Sequence, residues 1–318
     1  MIEIPKQVQN DKRESPTINK FSYMSWVIWA TIGYFLNAIA LAVDKALLNR
    51  QELKDPAVYT LLISALGLLV FILAPFGLEK PSLEVLGYGL ASGVFFTLGL
   101  WLMFTVLRVG EASRVPAFIG SLNPAFVFIV SFFFLGERLP EMGILAFILL
   151  VAGGFLMVGG GHGLKGKYLS LGVLSALAFG FAYVFLKITF NETSFISGLI
   201  WTRLGSFISS LALFLIPGTA SAFGNSFRSQ SRIKFAFIGG QTAGAVAGLL
   251  NSFAISLASV TLVNALQGVQ YVFLLILAAA VSYWRPVFFH DEFSPPALWR
   301  KVGGTVMIAI GLGLLSVM

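Results

Sequence analysis

The chain has 318 residues, 57% of them hydrophobic and only 11% charged, where a soluble domain carries about 25% charged residues. That composition excludes a water-soluble globular protein and makes the chain an integral membrane protein. Its formal net charge of +7 would raise nucleic acid as a partner for a soluble protein, but the charges are scattered over short loops, so lipid headgroups are the expected counterpart and no nucleic acid is expected.

Residues 1–22 are polar and read as a flexible tail. Ten apolar runs follow, at about 25–43, 58–78, 85–106, 115–135, 142–158, 168–186, 195–216, 235–257, 260–283 and 301–317. A run of about 18 residues crosses a hydrocarbon core of roughly 30 Å as a helix. Strands would leave backbone groups unpaired in lipid unless closed into a barrel, whose alternating ten-residue pattern is missing here. The connections are too short to hold a separate soluble domain. The first run lacks a small-residue cleavage site and reads as a retained signal anchor. An excess of lysine and arginine in the segments that would lie outside for an inside amino terminus favours both termini outside; discounting residues at helix ends narrows the difference, and orientation stays open.

Within the first run, Asn37 shares a face with Trp29 and Gly33, and the run closes on Asp44 and Lys45. The third contains Trp101, and the sixth ends at Lys187. Lysines at span ends snorkel to the headgroups by default, a reading favoured for Lys187 and evenly balanced for Lys45. The tryptophans are expected to pack, with an aromatic wall for a ligand as the other reading. The seventh run carries Arg203, with Ser206 and Ser210 on the same face. Keeping an arginine inside a span is costly and makes it a candidate functional group by default, here a partner for a substrate carboxylate; a structural ion pair is the equal alternative. In the eighth, Gly240, Gly244 and Gly248 form a GxxxGxxxG line for close helix approach, with Gln241 and Asn251 as weaker cavity candidates.

The ninth run contains VNALQGVQY, residues 263 to 271, with Asn264, Gln267 and Gln270 three residues apart. Steps of three advance about 300° around a helix, so the amides form one stripe, with Tyr271 one turn beyond Gln267. Amides facing lipid would cost several kcal/mol. Interhelical hydrogen bonds average only about 0.6 kcal/mol each, and three amides in register fit a hydrated cavity better than glue. No carboxylate falls inside the ten ranges, Asp44 lying one residue outside the first; because proton-driven carriers place an acid in the pathway, facilitated transport or exchange is expected.

Other signals carry no chemistry. GHGLKGKY, residues 161–168, approaches a phosphate-binding loop but has Tyr168 at the magnesium-ligand position and joins two spans. His290, Asp291 and Glu292 are adjacent and seldom converge on one ion, and the other histidine is His162. With no cysteine, disulfides and thiolate ligands are excluded. No catalytic constellation stands out, and neither metal nor cofactor is expected.

The second half repeats the first weakly: VDKALLN with Lys45 answers FLKITFN with Lys187, and glycines recur at 153, 154, 311 and 313. Two units of five spans must lie inverted in the membrane, a common build for alternating-access carriers. The units are residues 23–160 and 161–318. GSLNPAFVFIVSFFFLGERL in the fourth span, the paired lysines and the terminal GGTVMIAIGLGLL resemble the EamA branch of the drug/metabolite transporter superfamily over about residues 25–317. The resemblance implies recurrent family positions at Lys45, Pro124 and Glu137 and matches Arg203 to an arginine common in the second span of a repeat. Leu61 and Arg114 depart from that pattern and could mark an altered site.

The resulting expectation is an all-α integral membrane protein with ten transmembrane helices as two inverted five-helix repeats. The resemblance implies a metabolite carrier, often an exporter of amino acids or related small polar solutes, in a bacterial inner membrane. The expected substrate-binding residues are Asn37, Lys45, Trp101, Arg203, Asn264, Gln267, Gln270 and Tyr271. Expected partners are a small-molecule substrate and membrane lipids, and a homodimer is compatible with the sequence. The alternatives are a lipid-linked sugar flippase or nucleotide-sugar carrier and, from another class, an integral membrane enzyme acting on lipids.

Overall fold

The computed structural model describes residues 16–48, 55–108, 115–158, 166–226, 231–284 and 295–317. Every regular element among them is helical. The first half comprises α1 (Pro16–Leu48), α2 (Pro56–Gly67), α3 (Leu83–Leu107), α4 (Val115–Leu135) and α5 (Glu141–Val158). The second comprises α6 (Lys167–Glu192), α7 (Phe195–Leu211), a short α8 (Thr219–Ser226), α9 (Ser231–Leu257), α10 (Val260–Ala265), α11 (Gln267–Trp284) and α12 (Pro295–Val317). Six helical segments among the described residues are long and apolar enough to cross a membrane: Ser25–Asp44, Pro56–Phe76, Leu83–Leu107, Phe118–Leu135, Lys167–Glu192 and Phe195–Leu215.

Three departures from the expected runs have local causes. The second span is α-helical only to Gly67 and tightens into a 3-10 helix over Leu68–Phe76, with Pro75 removing a backbone donor near its end. The ninth is broken at Leu266, which separates α10 from α11 and leaves Val260–Leu274 as a shorter apolar stretch. Helix α8 occupies part of what the sequence suggested was a loop. At the start of α2, Pro56 at the first helical position and Asp55, whose Oδ1 accepts from the Ala57 and Val58 amides, fix the entry after the connection.

Helices meet where glycine or a hydroxyl permits close approach. Helices α1 and α9 run antiparallel, with Gly33 against Asn251, Ala40 against Gly244 and Val43 against Gly240. Helices α3 and α6 do the same: Ser92 Oγ donates to the Ala182 carbonyl at 2.8 Å and Ser175 Oγ to the Gly99 carbonyl at 2.8 Å. In the antiparallel α5–α12 pair, Gly153 packs on Gly304 and Ile308, and Gly311 on Ala146 and Leu150. Helices α3 and α7 run parallel, Gly89 meeting Trp201 and Gly93 lying directly on the backbone of Gly205 and Ser206. A hydroxyl network then joins Ser64 of α2, Thr97 of α3 and Ser206 and Ser209 of α7.

Two buried apolar clusters flank the centre. One gathers Trp26 and Tyr34 of α1 with Val127, Leu150, Ile255, Leu266 and Ile308. The other surrounds Tyr59 and Phe104 with Val115, Ile119, Phe179 and Phe237.

Candidate functional site

The broken span lies against α1 and α4, and the amide stripe is engaged on both. Asn37 Nδ2 donates to Gln270 Oε1 at 2.9 Å. Asn123 Nδ2, on α4, is 3.2 Å from both Asn264 Oδ1 and Gln267 Oε1. Asn264 also bonds back to the Val260 carbonyl at 2.8 Å, one turn before the break, a local competition with helix bonding typical of asparagine. The Tyr34 hydroxyl donates to the Val263 carbonyl at 3.0 Å. These are interhelical contacts between protein groups, so the stripe ties α10 and α11 to α1 and α4. They leave a remainder: the Tyr271 hydroxyl and Asn123 Oδ1 are buried without a hydrogen-bond partner. The Tyr271 hydroxyl lies against Gly120, where any side chain would overlap it and the Gln267 amide.

Arg203 lies toward the middle of α7. Its guanidinium stands over the Phe96 ring at 5.1 Å from the centroid. Gly248 of α9 faces its Nη2 and Gly67 of α2 faces its Cδ, at 3.3 and 3.5 Å from where a Cβ would sit. Tyr183 of α6 is within electrostatic reach and also neighbours Tyr34. Among the described residues no carboxylate pairs with this guanidinium. Ser206 and Ser210, expected on its face, are taken up in packing, Ser206 with Ser64 and Thr97, and Ser210 with the Phe207 carbonyl. The glycine line therefore divides its work: Gly240 and Gly244 admit α1, and Gly248 admits Arg203.

Other expected residues fall elsewhere. Trp101 packs in an apolar cluster with Ala57, Leu61 and Leu213. Trp29 is 38% exposed and meets Phe253 edge to face. Lys45 belongs to α1, but its side chain lies outside the described residues, as do Glu111, Arg114, His162 and His290–Glu292. Among the described residues no three histidine, aspartate or glutamate side chains gather as a metal site.

Lys187 does not follow the snorkelling expectation. Its Nζ donates to the carbonyls of Ile255 at 2.9 Å and Ser256 at 3.2 Å, in the last turn of α9. A cation there meets unpaired carbonyls and the negative end of the helix dipole. Just beyond, Glu137 Oε2 accepts from Thr261 Oγ1 at 2.7 Å in the first turn of α10, where a carboxylate is favoured. Lysine and glutamate thus hold both sides of the α9–α10 junction. Lys187→Met is expected to cost about 2 kcal/mol, read as a lower thermal midpoint of the detergent-solubilised protein.

Sequence reasoning missed Asn123, Tyr34 and Tyr183 as central groups. Asn123 had a visible signal, an amide in an apolar run beside Pro124; the tyrosines had none, being indistinguishable from packing aromatics. It also excluded Asp44, which closes the first spanning helix and is drawn into the protein by Tyr59 of α2 and Gln241 of α9.

Residues 24–159 match the EamA-like transporter family. The EamA resemblance read from the sequence thus holds over that stretch, as for a member of the drug/metabolite transporter superfamily. The EamA match and the apolar helices together support an integral, multi-pass membrane protein. A crystal structure of another protein, 16% identical, superposes with a TM-score of 0.62 over 92% of this chain and 96% of its own; at that identity the likeness concerns the fold. None of the curated proteins matches the chain.

Proposed function

We propose that this EamA-like protein is a secondary carrier that moves a small polar metabolite bearing an anionic group, such as an amino or organic acid, by alternating access between two inverted five-helix units. The observation that carries this reading is Arg203: a guanidinium brought inside the helix assembly with a ring face and glycines around it, and no carboxylate among the described residues to neutralise it. An ion placed so is costly without a partner, and a carboxylate of the cargo supplies one by a charge-assisted, two-pronged contact. Its surroundings come from both halves, α2 and α3 of the first and α6, α7 and α9 of the second. Carriers of inverted-repeat build hold their cargo at such an interface.

The packing supports the repeat. If α1 to α5 correspond to α6, α7, α9, α10–α11 and α12, the close pair α1–α9 is answered by α6–α3, while α5–α12 and α2–α7 each map onto themselves. Those exchanges fit a two-fold axis between the units, whereas the close α3–α7 contact has no counterpart of similar extent between α9 and α2 among the described residues. Helix α12 runs against its counterpart α5, the direction that an inverted repeat calls for. Of the buried polar atoms without a hydrogen-bond partner among the described residues, those on Tyr271 and Asn123 add hydrogen-bonding capacity beside the helix break.

A thermal-shift screen of purified protein against amino acids, organic acids and sugar nucleotides, repeated with Arg203→Gln, tests the reading. A ligand at 100 times its Kd stabilises the native state by about 2.7 kcal/mol. The expected result is a carboxylate-bearing solute that raises the midpoint of the wild type and leaves the variant unmoved. Stabilisation by the same solutes in both proteins would remove Arg203 from the site. Selective stabilisation by sugar nucleotides would favour the nucleotide-sugar carrier.

A further inference from the structure

We propose that Asp44 is a proton-exchange site, giving the carrier a protonated and a deprotonated form; this rests on the carrier reading above for its role in transport, though not for its chemistry. Asp44 is the last residue of the first membrane-spanning candidate. Its carboxyl group is held by two neutral donors from two other helices, the Tyr59 hydroxyl of α2 and Gln241 Nε2 of α9, the latter at 2.9 Å. Gln241 Nε2 also lies 3.3 Å from the Tyr59 hydroxyl, closing a triangle. Tyr59 is fully buried and fixed edge to face between Phe104 and Phe237, at 4.7 and 5.4 Å.

Both donors converge on a single oxygen, Oδ1, and the other oxygen receives no hydrogen bond among the described residues. That division suits proton exchange. Oδ1 acts as an acceptor whether the group is a carboxylate or a carboxylic acid, so Oδ2 can take a proton from water and return it without disturbing the triangle. Asp44 remains part-exposed, which leaves a route for that proton. An acid held in a membrane span by neutral groups commonly marks a proton pathway.

The charged neighbours are few. Asp55, which begins α2, is occupied in capping Ala57 and Val58. Arg108, after α3, is exposed and makes no bond to Asp44 among the described residues. Lys45 on α1 and Arg232 and Lys234 on α9 have side chains outside the described residues, so a lysine on α1 belongs in the test. Protonation at Asp44 would make this carrier sensitive to pH, where the sequence suggested facilitated transport or exchange.

Infrared difference spectroscopy of the full chain in lipid bilayers, stepped in pH, reads the proton directly. The expected result is a carbonyl stretch of a protonated carboxyl group that grows on acidification, is lost in Asp44→Asn, and moves in frequency in Tyr59→Phe, where one donor to Oδ1 is gone. If Asp44→Asn does not fold, the frequency change in Tyr59→Phe still decides. A band unchanged in both variants overturns the proposal. So does a band that emerges only in Lys45→Met, since Asp44 would then be held ionised by that lysine. The readout needs no cargo: a missing Asp44 band beside a positive ligand screen sinks this site only, and the reverse sinks the carrier reading only.

Discussion

Gly93→Ala is expected to prevent the chain from reaching a stable native packing, although it adds one methyl group. Gly93 of α3 lies on the α7 backbone at Gly205 and Ser206, and a Cβ there would overlap main-chain atoms that cannot rotate away. Helix α7 would have to move as a body. Gly205 is seated in turn on Leu90, Gly89 on Trp201, and the bonds from Thr97 to Ser206 and from Ser209 to Thr97 cross the same seam. Inserting atoms into a tight core costs about 1–3 kcal/mol and more where relaxation is blocked; with the hydroxyl network strained as well, about 4 kcal/mol is expected here. Gly87→Ala is the matched control. It lies on the same helix with no atom within 4 Å of the added methyl, and alanine is the better helix former by about 1 kcal/mol. Yield of monodisperse protein and its thermal midpoint should fall sharply for the first variant and hold or rise for the second. Equal behaviour would mean that α3 and α7 are not in contact at this seam.

Arg203→Met is expected to weaken cargo binding roughly 10- to 150-fold, and transport with it, while leaving stability unchanged or higher. For a residue in a structural ion pair, replacement by an apolar side chain strands the partner and destabilises by about 3–5 kcal/mol. Among the described residues Arg203 has no carboxylate partner; it has the Phe96 ring at 5.1 Å and Tyr183 within electrostatic reach. A cation–ring contact contributes about 0.5–2 kcal/mol, less than the several kcal/mol that keeping a guanidinium out of water costs. Methionine has a similar reach and fills irregular space between glycines. Cargo binding, by contrast, loses a charge-assisted hydrogen bond of about 1.5–3 kcal/mol, or roughly 10- to 150-fold in affinity. The check is a pair of measurements on one preparation, the unliganded thermal midpoint and uptake into proteoliposomes of whichever solute the ligand screen selects. Loss of both together would make Arg203 a structural residue.

How much of the site could be read beforehand varied from residue to residue. Arg203 was legible because a charge in an apolar run has few explanations. The amide stripe was legible as a stripe, but its partners were not: Asn37 and Gln270 are 233 positions apart in the chain, and nothing local announces that one will bond the other. Lys187 shows the opposite failure. Its position at a span end suggested snorkelling, because the α9 carbonyls that receive it belong to a helix far along the chain. Asp44 was set aside by a boundary error of one residue, since a hydropathy run ends at the first charge, whereas α1 continues to Leu48.

By itself the sequence determined that the chain belongs in a membrane as helices, approximately where those helices run, and its likeness to EamA-like transporters. These follow from the transfer free energy of apolar side chains and the need to pair backbone groups in lipid, which act within each segment. Only the tertiary structure decided which polar groups satisfy one another. It spent the amide stripe on α1 and α4, used Ser206 to join α2 and α3 to α7, drew Asp44 onto Tyr59 and Gln241, and left Arg203 without a carboxylate partner among the described residues. The physical reason is range: burial in lipid depends on local composition, whereas hydrogen bonds and close helix contacts act over about 3 Å between residues that only folding brings together.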